Sequence, residues 1–404
     1  MKFALISSAL PPWSSGAGVT LFNVLKNIDP SSYYLISTQK ASEMVSKTTF
    51  QDSETLQLKA QYFRCPPDPI DEYFSFFLPQ FFNNFRLVTR YLEKRAESIC
   101  NIIKNEPCDA IVACTSDFIS PPTAYFAARK MGIPFYFYLF DWYSRQWYLR
   151  EWKYPHQKWF GNFFEELLMK NASGVIVPNE FLSDEIFRNY GIKSEIVRNS
   201  IDLSMYNGAN PIQREKHKNG IDIVFTGAIY DTNFQALINL TDAIKKIKEI
   251  NVLLHVYVQH NLPKKIRKAL TAPFTVFHNP VPYALMPEIQ KNADILFLPL
   301  SFNSQRHDIV KTSAPGKTGD YLASGTPTIV HAPPDSFLSW YFKKFKCGMV
   351  VDENNSDALA DGITLFINNT DVQRTCVENA LQQSVVDFDS VAATNKFLAY
   401  ISAD

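Results

Sequence analysis

The sequence predicts an α/β protein built from two Rossmann-like domains, each a doubly wound parallel sheet, facing one another across a cleft. Three observations carry this expectation. At 404 residues the chain exceeds what one hydrophobic core normally fills, so two domains of roughly 200 residues each are expected. Apolar runs of strand length alternate with helical stretches along most of the chain. The alternation breaks at a polar segment punctuated by Gly and Pro, Asn207 to Gly220 (NGANPIQREKHKNG), and then restarts. The expected limits are 1–205 for the first domain, 206–220 for the linker and 221–385 for the second. A C-terminal helix, 386–404, is free to pack back on the first domain.

Lys2 to Ser7 reads as a first buried strand, and Ser14 to Gly18 (SSGAG) as a glycine loop opening a helix through VTLFNVLKNI. Gly16 and Gly18 let backbone come close to a ligand or to the facing domain. The spacing is not GxGxxG, and a ligand-free tight turn is an equal reading. Tyr33 to Ser37 is strand-like, whereas Gln39 to Lys59 is polar and carries no assignment. Phe74, Phe77, Phe81, Phe85, Val88, Leu92, Ala96, Ile99 and Ile103 then recur at helical spacing, with Pro79 as a break or kink. On another face Arg86, Arg90 and Lys94 form a like-charge row, partly offset by Glu93 and Glu97. A solvated face is preferred there to an anionic-lipid surface.

Ala110 to Cys114 (AIVAC) and Phe135 to Phe140 (FYFYLF) are further strands, joined by a helix through TAYFAARKMG. Asp117 follows the first tip, and Asp141, with Trp142 and Tyr143, follows the second. Strand tips are where function concentrates in such sheets, although either Asp also suits a turn. A helix over Asn162 to Asn171, the strand GVIVP (Gly174 to Pro178), Glu195 to Val197 and the turn RNSID (Arg198 to Asp202) complete the first half.

In the second half Asp222 to Thr226 (DIVFT) is a strand with Gly227 and Ala228 as its exit turn, followed by a helix through FQALINLTDAIKKIKEI. Leu253 to Val258, Phe274 to Phe277 and Asp294 to Pro299 are strands, with a helix MPEIQKNA between the last two. Next comes TSAPGKTGDYLASGTP, Thr312 to Pro327, in which a loop holding Pro315, Gly316 and Lys317 feeds a helix of small residues, Asp320 to Ser324. A strand edge feeding a helix start suits a phosphate-bearing ligand, Lys317 adding charge and Asp320 accepting from sugar hydroxyls. The plainer reading makes Asp320 a helix-dipole acid and Lys317 a solvated lysine. TIVH and GMVV add strands, and Ser356 to Asn368 a helix. His307 and His331 flank this stretch but suit ordinary surface or core roles, and the basic runs PKKIRK and YFKKFK suit solvated faces, with anionic lipid as the second reading.

Forty basic residues balance forty acidic ones, which removes the bulk electrostatic argument for nucleic acid. The six cysteines show no CxxC pair and no metal-ligand spacing, so free thiols in a reducing compartment are expected. The N-terminal apolar run is broken by Ser7 and Ser8 and lacks a cleavage pattern, and no stretch reaches the ~18 apolar residues of a membrane span. A cytoplasmic location is expected, with association with the inner face of the cytoplasmic membrane left open.

MKFALISSALPPWSSGAG, ASGVIVPNEFLSDEIFRNYG through RNSID, IVFTGAI, HNPVPYALMPEIQKNADILFLPL and SAPGKTGDYLASGTP together resemble, in order and over nearly the whole chain, the GT-B glycosyltransferases, most of all the retaining family four (glycosyl transferases group 1). The resemblance implies transfer of a hexosyl or deoxyhexosyl unit from a UDP, GDP or dTDP sugar, bound by the second domain, to a glycan or lipid-linked acceptor bound by the first. It implies no cofactor and no catalytic metal, and places the enzyme in polysaccharide or glycolipid synthesis. The implied donor nucleotide-binding set is Gly227, Ala228, Lys311, Ser313, Gly316, Lys317, Thr318 and Asp320, with Lys317 at the phosphates and Asp320 at the ribose. Asp117, Asp141 and Lys317 are the catalytic candidates, and Gly16, Ala17 and Gly18 form the acceptor loop.

Three positions depart from the family pattern. Thr312 stands where a first acidic residue is usual, YDTNFQAL lacks the basic residue expected after Gly227, for which Lys311 and Arg306 are substitutes, and Phe140 replaces a His before Asp141. A nucleotide-sugar epimerase of the same fold and a non-catalytic nucleotide or glycan binder are the rival readings. An inverting enzyme would need a general base aimed at the acceptor hydroxyl from the first domain, and Asp117 and Asp141 keep inversion in view.

Overall fold

The computed structural model describes residues 1–37, 54–65, 85–146, 155–207, 220–258 and 262–403. It divides into two compact units, Met1–Arg198 with Ser390–Asp404, and Asn199–Asp389. The division thus falls inside RNSID and before the last helix, where the sequence expectation set 205/206 and 385/386. The greater part of the charged linker and the aromatic residues Phe74, Phe77 and Phe81 with Pro79 lie outside the described residues.

The first unit is a parallel sheet in the order β3-β2-β1-β4-β5-β6-β7. Its strands are β1 Phe3–Ile6, β2 Tyr33–Ser37, β3 Gln61–Arg64, β4 Ala110–Cys114, β5 Phe135–Tyr138, β6 Gly174–Val177 and β7 Glu195–Ile196. Every pairing is parallel, so each connection must cross over the sheet and both faces are covered. The period of two along β1 shows how: Phe3 and Leu5 enter one core, Ala4 and Ile6 the other. The Ala4 side packs under the helices Phe85–Asn105, Ser120–Met131 and Pro155–Asn171, and the Phe3 side under Gly16–Leu25 and Ser390–Ile401. Leu92, Ala96, Ile99 and Ile103 supply the predicted apolar stripe, while Arg90 and Lys94 are exposed. The sequence expectation missed β3 because QYFR is a short edge strand with exposed Gln61 and Arg64, lacking the apolar run of a central strand.

The last helix belongs to this unit by specific contacts. Thr394 Oγ1 donates to Val24 O at 2.6 Å, Val175 N donates to the Tyr400 hydroxyl at 3.2 Å, and Phe397 is fully buried.

The second unit repeats the plan with six strands in the order β10-β9-β8-β11-β12-β13. These are β8 Gly220–Thr226, β9 Asn251–Tyr257, β10 Thr275–His278, β11 Ile295–Pro299, β12 Thr328–His331 and β13 Met349–Val351, again all parallel. Ile223, Phe225, Leu254, Val256, Ile295 and Phe297 join residues of the helices Asp231–Lys246 and Ser356–Asn368 in one core. In both sheets the strand order reverses beside the first strand of the unit: between β1 and β4, and between β8 and β11. Crevices at the carboxyl ends of such strand pairs are where α/β sheets bind ligands.

Candidate functional site

At the β8/β11 reversal the chain leaves β11, forms a short helix His307–Thr312 that the sequence reading did not anticipate, and runs through Ser313–Gly316 into the helix Lys317–Ala323. This second helix begins three residues before the expected Asp320, so Lys317 is helical. Tyr321 ties it to the sheet. Thr226 N, at the end of β8, donates to the Tyr321 hydroxyl at 2.9 Å, and Gly319 lies so close to Phe388 and Ile201 that a Cβ there would meet them at 2.9 and 3.0 Å. The helix is therefore pinned, and Lys317 and Asp320 with it.

Lys317 turns back over the strand tip. Its Nζ lies 4.1 Å from the centroid of the Phe225 ring, and a Cβ on Gly227 would sit 3.1 Å from both Cε and Nζ. Gly227 has φ of 109°, a conformation that favours glycine, and its bare Cα leaves the space that the lysine fills. No carboxylate of the described residues lies within ion-pair distance of this amine. Burial lowers the Lys317 pKa from 10.5 to about 7, with Asp320 opposing the shift. An ammonium held over an aromatic face without an anion is poised to accept one.

Asp320 is partly buried, and desolvation raises its pKa from 3.8 to about 6 against the lowering effects of Tyr206 and Lys317. Its Oδ1 lies 2.9 Å from the Tyr206 hydroxyl, which lies 2.9 Å from Gln290 Oε1. Thr318 Oγ1 and Arg306 Nε are buried without a hydrogen-bond partner among the described residues. Within the implied donor set, Gly227 has its own N–H spent on Tyr257 O at 2.9 Å. Among the described residues the amides of Ala228 and Gly316 have no partner, so at this turn the Ala228 N–H is open while that of Gly227 is not.

Other residues of the predicted set are placed as follows. Ser313 and Lys311 are partly buried around the loop, whose Ala314 carbonyl accepts from Asn199 Nδ2 at 2.7 Å. Thr312, at the position where the family is usually acidic, is buried and donates to Asp308 O at 3.1 Å. His331 is a core residue: it donates through Nδ1 to Val351 O and accepts Asn239 Nδ2 at Nε2, and burial lowers its pKa to about 4. His307 is an exposed partner of Asp335.

In the first unit the β1/β4 reversal is stitched by hydroxyls, with Ser7 Oγ and Ser8 N both donating to Ser116 Oγ. Ser15 caps the following helix by accepting from Gly18 N, and a Cβ on Gly18 would overlap Trp13 O at 2.0 Å, whereas one on Gly16 would meet nothing within 4 Å. Ala17 lies between them, partly buried. Asp117 Oδ1 accepts from Ile119 N and Ser120 N at 2.8 and 2.6 Å, and its Oδ2 is buried without a partner. Asp141 is partly buried beside fully buried Trp142, whose ring lies under the Arg145 guanidinium at 4.0 Å. The sequence reading missed Tyr206, Gln290, Asn199 and Tyr321. Tyr206 stood at the edge of a stretch read as linker, and no spacing signals its pairing with a residue over a hundred positions away.

Comparison with known proteins agrees with this layout. Residues 210–383 match the family model described as Glycosyl transferases group 1, and residues 62–205 match Glycosyltransferase Family 4. No curated protein matches in sequence. Among solved structures, Anabaena Alr3699/HepE in complex with UDP and glucose superposes with a TM-score of 0.69 at 14% identity, covering 100% of both chains. Sucrose-phosphate synthase from Thermosynechococcus elongatus also gives 0.69, at 13% identity and 100% of both chains. A protein described as a UDP-N-acetylglucosamine 2-epimerase from Listeria monocytogenes gives 0.59 at 11% identity, covering 100% of this chain and 96% of its own. Among the described residues no helix is long and apolar enough to cross a membrane.

Proposed function

Since this chain belongs to the group 1 glycosyltransferases of GT-B fold, we propose that it moves a hexosyl or deoxyhexosyl unit, with retention, from a nucleotide sugar to a glycan or lipid-linked acceptor. The observation that carries the donor half of this reading is the Lys317 amine, lodged between Phe225 and the Gly227 turn with no carboxylate of the described residues in ion-pair range. Departure of a nucleoside diphosphate builds negative charge on its β-phosphate. A fixed ammonium and the Ala228 and Gly316 amides would lower that barrier electrostatically, and the reading gives no metal a part. Asp320 would accept from the ribose hydroxyls. The reacting sugar becomes oxocarbenium-like as the bond breaks. Retention then follows the family's usual outcome, the departing phosphate receiving the acceptor proton.

In the first unit, Gly16, Ala17 and Gly18 would line the acceptor side, with Asp117 and Asp141 as the carboxylates available to the reacting groups. A polysaccharide or glycolipid product, and a cytoplasmic enzyme working beside the membrane's inner face, extend the same reading. UDP appears with the Anabaena protein, which makes a UDP sugar the first donor to try.

The test is consumption of UDP, GDP, dTDP and ADP sugars with and without glycan and lipid-linked acceptors. Transfer that requires acceptor is the expected result. Turnover of donor without any acceptor, giving an epimeric nucleotide sugar, would favour the epimerase. Nucleotide binding without consumption would leave a binding protein.

A further inference from the structure

The Tyr206 hydroxyl has one proton and stands 2.9 Å from each of two acceptors, Asp320 Oδ1 and Gln290 Oε1. It can donate to only one of them. Tyr206 and Gln290 are 5% and 1% exposed, so water has little access to repair the mismatch. The placement is also rigid: Lys291 Nζ holds the Tyr206 carbonyl, and Thr326 Oγ1 donates to the Gln290 carbonyl at 2.9 Å. Two arrangements give the hydroxyl one donor and one acceptor as neighbours. In one, a protonated Asp320 donates to Tyr206, which donates to Gln290 Oε1. In the other, the Gln290 amide is turned so that its NH₂ donates to Tyr206, which donates to an ionised Asp320.

We propose that Tyr206, backed by Gln290, is the positioning residue of the donor site: a two-way relay that orients the Asp320 carboxylate and couples its readiness for ribose to its protonation. The ligand part of this inference rests on the donor-site reading above; the relay itself does not. Asp320 ionises near neutrality, at about 6, because burial opposes its charge. The groups facing the relay are Lys317, which favours the carboxylate, and Tyr283 and Tyr321, which bear on the Tyr206 hydroxyl. Ribose hydroxyls need an ionised Asp320 and phosphate needs a charged Lys317. Donor binding therefore has an acid limb set by Asp320 and an alkaline limb set by Lys317, whose free-state pKa is about 7 and rises when phosphate arrives.

The experiment uses the full chain and Tyr206→Phe, which keeps the ring and removes only the hydroxyl. Affinity for UDP, GDP, dTDP and ADP is measured from pH 5 to 8, with Asp320→Asn as reference. The expected result is an acid limb displaced upward by about one pH unit in Tyr206→Phe, because the carboxylate has lost the hydrogen bond that favours its charge. The alkaline limb stays where it was, and Asp320→Asn keeps only the acid limb that the nucleotide's terminal phosphate gives by its own second ionisation, at about 6. An acid limb unmoved in Tyr206→Phe overturns the relay.

If none of the four nucleotides binds, the donor-site reading falls while the relay is still decided by unfolding of the free protein. A folded-state pKa raised above the unfolded value contributes stability below the unfolded pKa that is lost as pH rises through the folded one. For Asp320 that window runs from about 4 to 6. Tyr206→Phe extends it upward, so the stability difference between the two proteins must widen between pH 5 and 7. A difference independent of pH overturns the proposal by this second route.

Discussion

Glu165 in the first unit is a buried carboxylate and Asp320 in the second a partly buried one, and they differ in their supply of donors. Glu165 accepts from Ser144 N at 2.7 Å, Ser144 Oγ at 3.0 Å and the Tyr190 hydroxyl at 2.8 Å. Burial pushes its pKa up while these bonds and Arg145 oppose the shift. Asp320 has the Tyr206 hydroxyl alone among the described residues, and Lys317 beside it has a ring face instead of an anion. A carboxylate that serves the fold is saturated by the fold. A site that must receive a ligand keeps hydrogen-bonding capacity unspent, at a cost in stability.

The largest test of that contrast is Lys317→Met, which retains the stem's volume and deletes the charge. Loss of a charge-assisted phosphate contact of about 1.5–3 kcal/mol should weaken nucleoside diphosphate binding about 10- to 100-fold, read by calorimetry. The same change should raise the melting temperature of the free protein below pH 7, where the native lysine is a partly buried cation. The sign follows from the depressed pKa. Between about 7 and 10.5 the unfolded chain binds a proton that the folded chain does not, so the Lys317 contribution to stability rises with pH across that window. The Met variant should lose this slope. A lower melting temperature throughout would mean that Lys317 is a packing residue.

Glu165→Gln probes the saturated partner of the comparison and should do the opposite. An amide cannot accept from all three donors, so the variant should lose about 1–3 kcal/mol of stability in urea unfolding, with nucleoside diphosphate affinity unchanged. Weakened nucleotide binding at equal stability would dissolve the distinction drawn between the two carboxylates.

The same distinction explains what could be read from the chain alone. Strand runs such as AIVAC and DIVFT are apolar because parallel strands are covered on both faces, so the two-sheet fold was legible from pattern. Lys317 and Asp320 could be singled out as candidates because one loop and helix carry both within three residues. Tyr206 and Gln290 were not, because their roles exist only through a contact between distant segments, and a tyrosine in a polar stretch looks like any other. Glu165 was hidden for a related reason: its donors, Ser144 and Tyr190, come from other segments, while its helix is read from the apolar residues around it. The Gly227 amide shows a further limit. Its positive φ is compatible with close ligand approach, yet the sheet had already claimed its N–H for Tyr257.

Asp117 lies between the two extremes and gives the finest test. Its Oδ1 takes two backbone N–H groups at the entry to the helix Ser120–Met131, as a saturated structural carboxylate would, while its Oδ2 is buried with nothing to bond, as a site carboxylate would be. Asp117→Asn separates these halves, because an amide oxygen can still accept both backbone bonds and Asn is as good a helix-entry residue as Asp. Stability should therefore change by less than about 1 kcal/mol. If the free oxygen serves the reaction, its replacement by NH₂ removes the charge and the acceptor together, and turnover should fall about 10-fold or more at unchanged nucleoside diphosphate affinity. Wild-type turnover in this variant would assign Asp117 wholly to the turn and leave Asp141 as the first unit's candidate carboxylate.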